Sequence, residues 1–385
     1  MSINDFQNMD PLPRGRLIAR WLARSWQSAL PEPDFTLAPP DDIAAFLLKT
    51  GAGALAWARL RGSKRTDTSP LLDPFRQAYR LHVVQAALHE CNLRGLIREL
   101  NRHSIPFLLT KGWTVARAYP EPGLRPYGDI DLAVPPKRLE RVHQILLATK
   151  DRYGPVDLHP AVPDLPDRTW EQLWNRRQQI GMDGALCCCL GREDQLRHLC
   201  LHAVRHGMWR PLWLCDVAVL LDKTPADFDW SLCLDGLPWQ TDWVLAAFGL
   251  ASRLLGTTVR QESIARRADA LAQRWEAVVL REWGSFRQGD SHNRDRRPIA
   301  SYLRRPSGIA KAIQCRWPNP IEAAFKTGAS PHSRIPQWVR QAAAFGRRAW
   351  AKRNQMFGRR AGIASELHPS KVTSFLTIHR SEQSL

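Results

Sequence analysis

The chain has 385 residues, a formal charge of +18 and a pI near 10.2. That length supports a sizeable core in two or three subdomains, and the basicity favours anionic partners: nucleotides, nucleic acid, phosphorylated substrates or acidic lipid surfaces. The 8 cysteines contain no C-x-x-C pair, which argues against a disulfide framework or a paired-cysteine zinc module.

The opening MSINDFQNMDPLPRGR lacks the positive-then-apolar order of a signal peptide. The longest apolar stretch, Trp243 to Leu255, contains Arg253 and is too short for a bilayer span, so a soluble, cytoplasmic protein is expected. Residues 1–70 read as an N-terminal helical leader, irregular at its prolines, with one helix around Arg16 to Ala29. Acids at Asp41 and Asp42 start a second helix to about Leu48, which resumes as Ala54 to Leu60 ahead of a polar, basic loop. Asp73-Pro74 opens the clearest helix of the chain. Phe75, Tyr79, Val83, Ala86 and Ala87, then Leu93, Leu96, Ile97 and Leu100, recur at helical spacing as its packing face.

Residues 71–192 hold the chemistry. A short apolar run, Phe107-Leu108-Leu109, ends at Lys111-Gly112, and Thr114 to Tyr119 follows as a short helix. Gly128-Asp129-Ile130-Asp131-Leu132 begins a second strand. Side chains alternate along a strand, so Asp129 and Asp131 share one face while Ile130 and Leu132 face the core. A helix from Pro136 to Lys150 leads to a third strand, Val156-Asp157-Leu158-His159, with His159 on the face of Asp157. Alone, D-x-D also describes the solvated face of an edge strand; the order of parts separates the two. Carboxylates crowded together repel, a cost that a bound cation removes. Oxygen ligands of this kind suit Mg²⁺ or Mn²⁺.

In these residues the chain resembles the DNA polymerase β-like nucleotidyltransferase superfamily, and within it a family of uncharacterised bacterial nucleotidyltransferases. The resemblance rests on Lys111-Gly112, on Arg125 shortly before G-D-I-D-L, and on V-D-L-H after the next helix. It extends to Leu199, His202, His206, Trp209, Leu212, Trp213, Leu214 and Asp216, implying a helical lid or nucleotide-facing wall with Asp216 tying helices together. It implies an α+β fold: a small mixed sheet flanked by helices, with a mainly helical C-terminal subdomain. By the same resemblance Asp129, Asp131 and Asp157 are the catalytic and metal-holding acids, and Lys111, Gly112, Arg125, Gly128 and His159 face the nucleotide. Trp113 stands where many relatives carry Ser, which leaves phosphate contact to backbone N–H groups and Lys111.

Beyond the core, residues 193–285 read as a helical subdomain, 286–357 as a basic helical region and 358–385 as a disordered tail. His198, His202 and His206 have H-x₃-H spacing, but the Glu of a hydrolytic H-E-x-x-H is missing. The implied activity is transfer of a nucleoside monophosphate from an NTP to a hydroxyl or phosphate of a small molecule, saccharide, peptide or protein. Two alternatives stand beside it: a decayed core on a nucleic-acid-binding scaffold, for which the basic C-terminal region would be the contact, and an antitoxin-like enzyme that adds AMP to protein.

Overall fold

Five short strands form one mixed sheet: β1 (Leu108–Leu109), β2 (Ile130–Ala133), β3 (Val156–His159), β4 (Gln178–Met182) and β5 (Ala185–Cys189), in the order β3-β2-β1-β5-β4. β1 runs antiparallel to β2 and parallel to β5, β2 is parallel to β3, and β4 is antiparallel to β5. This is the mixed α+β architecture expected. In this computed structural model the described residues are 10–27, 41–61, 73–149, 152–182, 184–285, 320–326, 328 and 330–331, all within one unit. The polar, basic loop at 62–69 and the tail expected at 358–385 lie outside them, as does the basic region expected at 286–357 apart from 320–326, 328 and 330–331.

Helices α1 (Pro11–Leu22), α2 (Asp41–Lys49), α3 (Gly53–Leu60) and α4 (Asp73–Arg102) precede the sheet. Within it lie α5 (Trp113–Ala116), α6 (Leu139–Ala148) and α7 (Trp170–Asn175). After it come α8 (Arg192–Arg205), α9 (Pro211–Asp222), α10 (Trp230–Leu234), α11 (Pro238–Leu255), α12 (Glu262–Gly284) and α13 (Pro320–Lys326). Among the described residues no single helix is long and apolar enough to cross a membrane.

The first helix lies upstream of its expected position. Pro11 and Pro13 sit in its first turn, where a missing N–H costs nothing, and the Asp10 side chain accepts from Leu12 N at 2.8 Å. It packs against α12 at backbone contact: a Cβ on Gly15 would overlap the carbonyl of Leu280, and one on Gly284 that of Pro11. On α4 the core face is Phe75, Leu93, Leu96, Ile97 and Leu100, while Ala87 is exposed together with Leu81, Val84 and Leu88. The helix is clamped into the core at its first turn by Phe75 and again from Leu93 onward, with a more exposed middle between.

Candidate active site

Strands β2 and β3 pair in parallel, in register, with Asp131 opposite Asp157 and Ala133 opposite His159. Residues level with one another, or two apart, share a face, so Asp131, Asp157 and His159 converge. Their ligand atoms all lie within 4.8 Å of one another. Asp131 is 5% exposed, whereas the Asp157 side chain is 53% exposed, so the group runs from the sheet's interior to its surface. His159 Nε2 is 3.1 Å from Asp157 Oδ2, and Lys111 Nζ is 2.8 Å from Asp131 Oδ1. Burial pushes the Asp131 carboxyl above its usual pKa; Lys111 opposes this, and the charges of Asp129 and Asp157 reinforce it.

Asp129 stands apart from this trio. It precedes the first residue of β2, and its side chain is exposed and outside the converging group, though its charge is felt by Asp131. Gly128 beside it is also exposed, with open space where a Cβ would be.

The Lys111-Gly112 turn is held from several sides. Gln195 of α8 donates to Thr110 O at 2.7 Å, and Thr110 N donates to Asp131 O at 3.3 Å. Thr114 Oγ1 donates to Lys111 O at 3.1 Å, and Ala116 N to Gly112 O at 3.0 Å. Gly112 has φ +62°, a region costly for residues with a Cβ, and a Cβ there would press to 3.3 Å of Asp129 O. The turn and the approach to the acidic strand are therefore in backbone contact.

Arg125 lies beneath this turn. It is 8% exposed, and its Nε and Nη2 form a fork on Asp216 of α9, the Nη2–Oδ2 distance being 2.9 Å. Nη1 lies 3.5 Å from Gly112 O, and Tyr119 Oη donates to Asp216 Oδ1 at 2.8 Å. Its guanidinium thus faces a carboxylate and the turn's backbone rather than an open nucleotide site. Asp216 ties α9 to the segment between β1 and β2. No signal in the sequence pairs Arg125 with an acid so far along the chain.

The histidines of α8 face a buried acid. His198 and His202 are buried, with Nδ1 atoms 3.5 and 3.2 Å from Asp164 Oδ2, and Arg205 Nε is 2.8 Å from Asp164 Oδ1. Burial opposes ionisation of Asp164, yet the His202 hydrogen bond and the neighbouring cationic groups leave its pKa below the carboxylate range. Burial pushes His198 down to about 3. His206 and His202 continue into a ring cluster with Trp213, at centroid distances of 5.3 and 5.1 Å, and Trp209 meets the same ring at 5.4 Å. Asp164 and Arg205 were not singled out by the sequence, because nothing in an ordinary loop acid marks it as buried.

A family model described as "Uncharacterised nucleotidyltransferase" matches residues 38–149 and 154–238, just over half of the chain. The chain belongs to this nucleotidyltransferase family. The match takes in α2 and α3, the acid-bearing strands and α8 to α9, so the family's shared region includes the Arg125–Asp216 tie as well as the acids. No curated protein matches. One solved structure, an antigenic nucleotidyltransferase-like protein from Paracoccidioides brasiliensis, is similar at 12% identity over 47% of this chain and 98% of that chain, with a TM-score of 0.37.

Proposed function

We propose that this nucleotidyltransferase family member moves a nucleoside monophosphate from an NTP to an acceptor hydroxyl or phosphate, releasing pyrophosphate, with Mg²⁺ or Mn²⁺ as cofactor. The observation that carries this is the convergence of Asp131, Asp157 and His159 on one point beside the Lys111-Gly112 turn. The donor set fits a divalent cation: two carboxylates supply hard oxygen, and a borderline imidazole favours Mn²⁺ over Mg²⁺ where His159 ligates directly. A bound cation supplies charge neutralisation at the phosphates and lowers the pKa of the attacking group. Asp131 and Asp157 would hold it, and Asp129 at the exposed rim would join them when nucleotide is present. Lys111 neutralises Asp131 in the ligand-free protein and would turn to the phosphates once a cation takes over that carboxylate. Gly112 would let backbone N–H groups approach the triphosphate, and Arg125 acts as a positioning residue, fixing the turn through Gly112 O.

The test is incubation with each α-labelled NTP and Mg²⁺ or Mn²⁺, reading label transferred to fractionated lysate. Asp131→Asn and Asp157→Asn should each lower transfer by at least a hundredfold while circular dichroism stays native. Wild-type protein that transfers no label with any NTP and either metal, or variants that transfer as well as wild type, would overturn the assignment.

A further inference from the structure

Arg210 is the residue before α9, ahead of Pro211 in the helix's first turn. Its Nε donates to Thr50 O at 2.6 Å and its guanidinium carbon lies 5.9 Å from the Trp213 ring centroid. Thr50 and Gly51 form the corner between α2 and α3. Gly51, at φ +79°, is where Arg210 meets the acid-bearing loop: a Cβ there would stand 2.6 Å from Arg210 Nη2 and 3.0 Å from Pro126 Cγ. Pro126 is three residues before Asp129, and Asp129 acts on Arg210 electrostatically. The side chain is thus held where the α2–α3 corner, the loop before β2 and α9 meet.

What it lacks is an anion. Among the described residues no carboxylate lies within ion-pairing distance of Arg210, and Nε is the nitrogen with a hydrogen-bond acceptor. Its neighbour Arg125 is neutralised by the fork on Asp216, so that carboxylate is already engaged. Burial, and then the charge of Arg125, pull Arg210 down to about 10, still fully cationic at neutral pH. A guanidinium merely filling core space would be expected to meet a carboxylate or several carbonyls, because a partly desolvated charge without partners is costly. Two Nη groups without a partner, at the Gly51–Pro126 corner and within electrostatic reach of Asp129, match the oxygens of a metal-chelated polyphosphate, which a guanidinium fork recognises with two parallel hydrogen bonds.

We propose that Arg210 is a phosphate-binding residue of the candidate site, gripping the polyphosphate of the incoming nucleotide and holding it as pyrophosphate leaves. This assignment rests on the nucleotidyl-transfer reading above and adds a residue that the sequence did not single out. Calorimetric titration of the full chain with inorganic tripolyphosphate plus Mg²⁺ tests it, across wild type, Arg210→Met and Arg210→Lys. Met retains the stem on Trp213 and loses the charge; Lys retains the charge and loses the fork. The expected result is affinity reduced tenfold to a hundredfold in R210M and less in R210K, with native melting temperatures. R210M binding within twofold of wild type would overturn the proposal. Should R210M fail to fold, R210K decides: a threefold or greater loss supports the fork, and equality with wild type overturns it. Wild type that does not bind tripolyphosphate sinks the Arg210 site itself, whereas wild type that binds it without transferring nucleotide leaves Arg210 standing and sinks the transferase.

Discussion

Replacing Asp216 by alanine removes one carboxylate and strands two groups. Arg125 is 8% exposed and receives its neutralisation from Asp216, and Tyr119 Oη loses its acceptor at 2.8 Å. Leaving one member of a buried ion pair uncompensated costs about 3–5 kcal/mol, and an orphaned buried hydroxyl roughly 1 kcal/mol more, the two overlapping in part. A net loss of about 4 kcal/mol corresponds to a melting temperature lowered by roughly 8–16 °C for a domain of this size. Urea and thermal unfolding at pH 7, followed by circular dichroism, would measure it. The second arm is Arg125→Met with Asp216→Leu, which removes both charges at similar volume and should recover all but about 1–2 kcal/mol. A single variant melting within about 2 °C of wild type, or a double variant no better than the single, would show that the pair is not buried as described.

Metal preference is the next check: if His159 ligates, His159→Ala should reduce the ratio of Mn²⁺- to Mg²⁺-supported transfer several-fold, and an unchanged ratio would make His159 only a partner of Asp157. For pH, burial lowers His206 from 6.5 to about 4, so the unfolded chain binds that proton first. Stability from this ring is complete above pH 6.5 and declines by about 1–3 kcal/mol as pH falls toward 4; His206→Phe should flatten that part of the unfolding curve, and an identical slope would refute it. At the α1–α12 contact, Gly15→Ala sets a methyl against the Leu280 carbonyl and should cost at least 1–3 kcal/mol in urea unfolding, whereas a neutral effect would mean the helices sit further apart.

The local parts of this fold were legible wherever a short-range period controls them. Asp157 and His159 occupy alternate positions on β3, so two-residue alternation puts them on one face; Asp131 joins them because β2 pairs in register with β3, which no short-range period shows. Asp129 shows where that rule ends: it lies one residue before β2, exposed and outside the group that Asp131, Asp157 and His159 form. Prolines at 11 and 13 suggested irregular chain, although helix N-termini accept them, and the helix began earlier than expected. The partners of Arg125 and Arg210 were beyond reach for a different reason. Arg125 meets Asp216 91 positions away, and Arg210 meets Thr50 160 positions away. Such pairings depend on how helices stack after the chain has folded, and a lone arginine carries no mark of it.

Gln195 and Asp216 lie outside the stretch from Asp73 to Leu190 that supplies every acid of the candidate site, yet both fasten its glycine bend, Asp216 through Arg125. An excised strand-bearing fragment would keep the acids but lose the struts that aim them, with Arg125 charged and nothing opposite. Any shorter piece made to test the proposed transfer must therefore reach past α9, and an inactive fragment that stops before it would say nothing about the whole chain.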